Sequence, residues 1–426
     1  MEMRHKIIFI SLVIALLVVS TTAFLLWQKF EPEVYYYVPP EKSFIYSQGE
    51  LKYGIEKYLR EAVETQMLKL IEEKKSFIYV DLKEMKLTLY KEGKSSEVFP
   101  VQSKGEEWFW GETPPGVYSA GFKARLHFSS AARVWMPYAV QYYGNYFIHG
   151  WPYDRAGRQL PPGPSGGCVR LRTQDAAVVF EFAKSGTPIL VFDEKATSPL
   201  PALLSLGKEA PPIDINGQSF LVADLDTGEI LLSKDVDSEI EGGFAVGGML
   251  ALAASDSVNL EKRITARSWM MEGVKEGIIV PERSYRGYDL LEPLLSRSSK
   301  EAALVLSRFL TAEKFVALMN DKANGIGMKN TFFADVTGTL AENKTTLYDV
   351  ARLMRYIRDY RSFILDISQE WLGEREDEKQ TIFKALEMKT SNDIVRFIFI
   401  GIADSTDAKA DVENMLSWLN NNFGLK

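Results

Sequence analysis

The chain has 426 residues, room for two or three domains at about 150 residues each. Hydrophobic residues make up 46% and charged residues 25%, which excludes a largely disordered or fibrous chain. With 57 acidic against 50 basic residues, a net charge of −7 and no basic block, the composition argues against a nucleic-acid partner. The single cysteine, Cys168, rules out an intramolecular disulfide and a thiol-rich zinc site, and the only histidines are His5, His127 and His149.

From Ile7 to Trp27 the chain runs 21 residues without a charge, and about 20 apolar residues suffice to cross a bilayer core. Arg4, His5 and Lys6 precede this stretch, so the positive-inside tendency places Met1 in the cytoplasm and the body of the protein outside. The expectation is an uncleaved anchor over residues 1–29, a single-pass transmembrane helix in the plasma membrane. The competing reading is a signal peptide cleaved near Thr21-Thr22-Ala23, although such apolar regions are usually about 7–15 residues long. Both readings put the folded domains on the extracytoplasmic side.

Residues 30–74 read as a stalk and a helix. Phe30 to Gln48 carries Tyr35-Tyr36-Tyr37 and Pro39-Pro40, and Leu51, Ile55, Leu59, Val63, Met67 and Leu70 recur near helical spacing between Glu50 and Lys75. At Ser76 the period changes. Phe77 to Val80, Lys86 to Tyr90, Val117-Tyr118, Ala139 to Tyr142, Tyr146 to His149 and Pro188 to Phe192 read as short strands, with one brief helix from Thr173 to Ala183. This pattern predicts a small, mainly β domain over residues 75–194. A Pro-rich linker follows at 195–212. Beyond it, Ser219 to Ala223 and Glu229 to Leu232 flank the Asp226-Thr227-Gly228 turn as a hairpin. Helical patterns run over Phe244 to Ala254, Tyr288 to Phe309, Ala312 to Gly325 and Leu347 to Tyr360. A strand from Asp393 to Gly401 and a helix from Ala408 to Asn421 complete an α+β domain over 213–426.

The chemistry concentrates in the first of these domains. His149 ends an apolar strand, Tyr146-Phe147-Ile148-His149-Gly150, and Ser165-Gly166-Gly167-Cys168-Val169-Arg170-Leu171 follows after a loop rich in glycine and proline. A thiol becomes a nucleophile when a neighbouring base takes its proton. The glycines before Cys168 permit a tight turn that exposes the sulfur and aims backbone N–H groups at an oxyanion. On residue types alone the alternative stays open, with Cys168 a small buried apolar residue and His149 a satisfied strand-end histidine. An exported, unpaired thiol is exposed to oxidation, which favours a chemical role.

The flanking pattern resembles the L,D-transpeptidase catalytic domain of the YkuD type over about Lys75 to Asp193. The family motif, a histidine and then Ser/Thr-His-Gly-Cys followed by an apolar residue and Arg or Asn, falls on His149, Ser165, Gly167, Cys168, Val169 and Arg170. Ile78-Tyr79-Val80-Asp81, Leu87-Thr88-Leu89-Tyr90 and Thr113-Pro114-Pro115-Gly116-Val117-Tyr118 add further landmarks. One position departs: Gly166 stands where the family has its second histidine. The resemblance implies a mechanism in which His149 deprotonates Cys168 and the thiolate attacks the diaminopimelate carbonyl of a tetrapeptide stem. D-alanine leaves, and the thioester passes to an amine of a second stem. Gly167, Ser165 and Arg170 would serve the oxyanion and the substrate, Arg170 through its planar fork on a carboxylate or else in a structural ion pair. Tyr138 and Trp151 line the cleft or pack in the core. The partner implied is the peptidoglycan stem peptide, and no step needs a metal or organic cofactor.

Residues from about Ile213 to Phe423 resemble, more weakly, the D-alanyl-D-alanine carboxypeptidases of the penicillin-binding-protein type. That family uses a Ser-x-x-Lys nucleophile, a Ser-x-Asn and a Lys-Thr-Gly strand. Here Ala245-Val246-Gly247-Gly248, Ser298-Ser299-Lys300 and Lys389-Thr390-Ser391 stand at those places, which implies a degenerate domain without an acyl-serine route. The expectation is a membrane-anchored L,D-transpeptidase. The alternatives are an L,D-carboxypeptidase using water at the same cysteine, or a non-catalytic peptidoglycan-binding protein.

Overall fold

The computed structural model describes residues 55, 57–106, 111–193, 203, 214–368, 373–374 and 380–426. The apolar N-terminal segment, the stalk from Phe30 to Gln48 and nearly all of the Pro-rich linker lie outside the described residues. Among those described, no helix is long and apolar enough to cross a membrane.

The chain folds as a β-rich domain followed by an α+β domain. The first described helix, α1 (Tyr58–Glu72), precedes β1 (Phe77–Asp81), β2 (Lys86–Lys91), β3 (Lys94–Pro100), β4 (Gly116–Ser119), β5 (Lys123–Ser129), β6 (Val134–Tyr143), β7 (Tyr146–Gly150) and β8 (Val169–Leu171). Helix α2 (Thr173–Phe182) and β9 (Pro188–Phe192) close the domain. One sheet has the order β3-β2-β1-β9-β4 and the other β5-β6-β7-β8. Ile78, Val80, Leu87 and Leu89 from the first meet Val140, Tyr142, Ile148, Val169 and Leu171 from the second, with Ala176 and Val179 of α2. Burial of that shared apolar face is what holds the two sheets together. Strands β3 and β5 lie outside the expected elements: β3 exposes most of its residues and carries little apolar alternation, while β5 buries none of its residues fully, although Ala124, Leu126 and Phe128 alternate with polar positions.

The second domain opens with β10 (Ser219–Asp224), β11 (Ile230–Lys234), β12 (Ile240–Glu241), α3 (Gly243–Ser257), β13 (Arg263–Thr265) and β14 (Ser284–Arg286). Helices α4 (Gly287–Ser296), α5 (Lys300–Ser307) and α6 (Ala312–Gly325) follow, then β15 (Lys344–Thr345), α7 (Leu347–Tyr360) and α8 (Phe363–Ser368). It ends with β16 (Gly373–Glu374), β17 (Gln380–Lys389), β18 (Val395–Ser405) and α9 (Ala408–Phe423). The central sheet runs β11-β10-β18-β17-β16. Alternation sorts its side chains: Phe220, Val222, Ile398, Ile400 and Ile402 pack on Val412, Met415, Trp418 and Leu419 of α9. Leu221, Ala223, Phe399 and Ala403 face the helices of the other layer.

The stretch 288–309, expected as one helical run, is two helices. Ser298 adopts φ +48° and Ser299 N-caps α5, its hydroxyl accepting from Ala302 N, so the serine pair ends one helix and starts the next. Helix α1 joins the domains, with Tyr58 and Leu59 in the larger core and Val63 and Leu70 against Phe77, Leu190 and Phe192.

Candidate active site

Strands β7 and β8 run parallel, with Ile148 opposite Val169, His149 opposite Arg170 and Gly150 opposite Leu171. Side chains alternate between faces along a strand. Ile148, Val169 and Leu171 enter the core between the sheets, so His149, Arg170 and Cys168 turn to the opposite face. There Cys168 packs with Phe147, Val134, Met136, Ala139 and Leu160. The ladder therefore sets the thiol and the imidazole on one face, one diagonal apart.

His149 is 2% exposed, and its Nδ1 lies 2.6 Å from the Gly150 carbonyl oxygen. A carbonyl only accepts, so Nδ1 carries the proton and Nε2 is the basic nitrogen. Burial lowers the His149 pKa to about 4, with the Gly150 carbonyl opposing and Arg170 adding to the shift. Cys168 is half-buried, and its sulfur lies 3.9 Å from the Asn145 carbonyl oxygen. Dense surroundings push its thiol up to about 11, against the opposing pull of the Phe147 backbone and Arg170. Across the neutral range both groups are uncharged. Such a pair suits general-base catalysis, in which the proton leaves as sulfur attacks, rather than a standing thiolate–imidazolium pair.

The turn before Cys168 is internally braced. Ser165 is fully buried; its hydroxyl donates to the Cys168 carbonyl at 2.5 Å and accepts from the Gly167 N–H at 3.1 Å. Gly167 has φ +105°, and a Cβ there would stand 2.2 Å from Cε1 of Tyr146, so only glycine fits. Gly166 is exposed.

Arg170 is 9% exposed. Its Nη1 donates to the Gly163 and Pro164 carbonyls at 3.3 and 3.2 Å, tying down the loop that leads to the cysteine. The guanidinium sits over Trp151, 5.6 Å from the ring centroid, and its buried Nε has no hydrogen-bond partner. Trp151 donates to the Leu160 carbonyl at 2.8 Å. Tyr138 packs instead on Phe180 of α2. His127 stacks on Phe147 at 4.9 Å, beside the face that carries Cys168 and His149. Among the described residues no group of three or more potential metal ligands occurs.

Sequence reasoning missed Asn145 and Tyr146, which touch the cysteine turn from the start of β7. Their only local signal was the Gly144-Asn145 turn.

In the second domain Ala245 is fully buried on α3. Ser299 is engaged as a helix cap and donates to Glu276 Oε2 at 2.7 Å. Lys389 ends β17, where its backbone pairs with Lys426. No serine–lysine pair stands at the start of α3.

The chain resembles two peptidoglycan-enzyme families, one per domain. Residues 75–191 match the family model described as the L,D-transpeptidase catalytic domain. Residues 206–397 match the model for D-alanyl-D-alanine carboxypeptidases. Among curated relatives, a D-alanyl-D-alanine endopeptidase of Pseudomonas aeruginosa is 31% identical over 147 residues, covering 33% of this chain and 47% of the relative. The carboxypeptidase DacF of Bacillus subtilis is 23% identical over 184 residues, 41% of this chain and 47% of its own. The chain thus spans about half the length of the curated relatives it matches. Among solved structures, a D-alanyl-D-alanine carboxypeptidase from Mycobacterium tuberculosis aligns with TM-score 0.43 and 21% identity, covering 50% of this chain and 94% of that one.

Proposed function

We propose that this protein is a membrane-anchored L,D-transpeptidase that cross-links peptidoglycan stem peptides through a Cys168 thioester. The observation that carries this reading is the β7–β8 register, which puts the sole cysteine beside a histidine whose Nε2 is left basic. In this reading His149 Nε2 takes the thiol proton as sulfur attacks the stem carbonyl. The oxyanion is met by the Cys168 N–H, since Ser165 engages the Gly167 N–H. His149 returns the proton to the leaving D-alanine, then removes one from the acceptor amine. Arg170, with one side unpaired and no carboxylate ion pair among the described residues, receives a substrate carboxylate. The apolar segment from Ile7 to Trp27 holds the domains on the outer face of the plasma membrane.

Ser165 is better read as the brace of the turn than as a substrate ligand, because both of its observed hydrogen bonds are internal. The second domain, lacking serine and lysine where its relatives' family has them, is proposed to be non-catalytic.

The test is mass spectrometry of the full chain incubated with disaccharide-tetrapeptide, beside Cys168→Ala. A cross-linked dimer that has lost one D-alanine, absent from the variant, is expected. A tripeptide product alone would make the enzyme an L,D-carboxypeptidase. No product and no adduct at Cys168 would refute the reading in favour of a binding protein.

A further inference from the structure

The two domains meet at a buried charge cluster directly behind the cysteine turn. Asp256, near the C-terminal end of α3, is fully buried and faces Arg361 and Lys322, with Arg361 Nη2 at 2.7 Å from Oδ1 and Lys322 Nζ at 3.1 Å from Oδ2. Arg361 follows α7, and Lys322 lies on α6 with no exposed side-chain surface. Each cation reaches across the boundary. Arg361 Nη2 donates to the Tyr146 hydroxyl at 2.7 Å and to the Glu112 carbonyl at 3.3 Å. Lys322 donates to the Tyr118 hydroxyl at 2.9 Å and lies 4.1 Å from the centroid of the Tyr143 ring. The Tyr146 hydroxyl in turn donates to Asp256 Oδ1 at 3.2 Å.

The turn before β7 is held by the same helix. Asn145 Nδ2 donates to the Ser257 carbonyl at 2.5 Å and its backbone N–H to the Asp256 carbonyl at 3.3 Å. Gly144, at φ +45°, leaves no room for a side chain, since a Cβ would stand 2.8 Å from that Asp256 carbonyl.

These two gripped residues touch the cysteine turn. The Tyr146 ring closes on Gly167, and the Asn145 carbonyl is the sulfur's neighbour at 3.9 Å. From this continuity we infer that the penicillin-binding-protein-like domain is a positioning element of the cysteine site, with Arg361 acting through Tyr146 to fix the Gly167–Cys168 turn relative to His149. The helix whose start has lost the serine of its relatives' family thus serves the other domain's chemistry from its far end. This rests on the L,D-transpeptidase reading for its reaction but not for its geometry.

The test uses the full chain and two readouts. Tyr146→Phe keeps the ring on Gly167 and removes only the hydroxyl that the second domain grips. It is expected to lower kcat for thioester formation at least about tenfold, since small misplacements of reacting groups are that costly, with KM within about twofold. Because Cys168 is the sole cysteine, iodoacetamide labelling at pH 8 reads this thiol alone. Loosening the turn is expected to speed labelling at least about threefold while the far-UV circular dichroism and melting midpoint stay near wild type. Arg361→Met should repeat the pattern with some loss of stability. Arg361→Lys, which retains the charge facing Asp256 but not the planar fork, should recover stability without recovering kcat. Tyr146→Phe with wild-type kcat and labelling would overturn the inference, even if Arg361→Met lost activity and stability together. A wild-type chain that forms no thioester would refute the transpeptidase reading, and labelling would still decide whether the clamp exists.

Discussion

Gly167→Ala tests the reasoning about the cysteine turn most directly. At φ +105° an alanine adopts a backbone conformation that costs about 1–3 kcal/mol. Its Cβ would also stand 2.2 Å from Tyr146 Cε1 and 2.8 Å from Cδ1. The ring has little freedom to yield, because it is 7% exposed and its hydroxyl is held by Arg361 and Asp256. Overpacking of a rigid site adds about 1–3 kcal/mol. The two contributions together predict a loss of about 2–6 kcal/mol, relieved in part by displacement of the turn and of the adjacent sulfur. Urea denaturation of the full chain reads the first effect and the rate of Cys168 acylation the second, with a fall of about a hundredfold expected. A stability change below about 0.5 kcal/mol together with unaltered acylation would refute both the crowding and the placement of the nucleophile on this turn.

Ser165→Ala removes two internal hydrogen bonds and leaves the buried Gly167 N–H without its acceptor; a loss of about 1–3 kcal/mol is expected on denaturation, with reduced but measurable turnover. Acidification should destabilise the protein through His149: its folded pKa of about 4 lies below the usual 6.5, so the unfolded chain binds the proton first. Stability from this group is whole above pH 6.5 and falls by about 3 kcal/mol as the pH drops to 4, a loss that pH-dependent melting should show and that His149→Asn should abolish. The acid limb of kcat/KM is correspondingly expected near pH 4 rather than near 6.5. A fluorescent penicillin should leave Cys168→Ala unlabelled, because no serine nucleophile stands at the Ala245 position; labelling of that variant would restore a catalytic role to the second domain.

Many of the local elements were legible from the residues themselves, and the candidate pair from the residues together with the family resemblance. Strands such as Phe77–Asp81 and Tyr146–Gly150 announce themselves by short apolar runs between turn residues, and α7 by its amphipathic spacing. Cys168 and His149 stood out because thiol and imidazole chemistry had so few residues to draw on. Where the signal was weak, the reading failed for identifiable reasons. The exposed strand Lys94–Pro100 lacks an apolar face, and the break at Ser298 depends on a serine cap that spacing alone does not reveal.

What tertiary structure decided is the surroundings of the pair. Asp256, Lys322 and Arg361 lie more than sixty, then nearly forty residues apart in the chain and carry no motif, yet they converge behind Tyr146. Burial within the first domain's own packing holds His149 and Cys168 both neutral. Sequence order determines which residues exist and which elements they form locally. Burial and long-range ion pairing depend on distances that only the folded chain sets, and so the grip of one domain on the other's cysteine turn belongs to the tertiary structure alone.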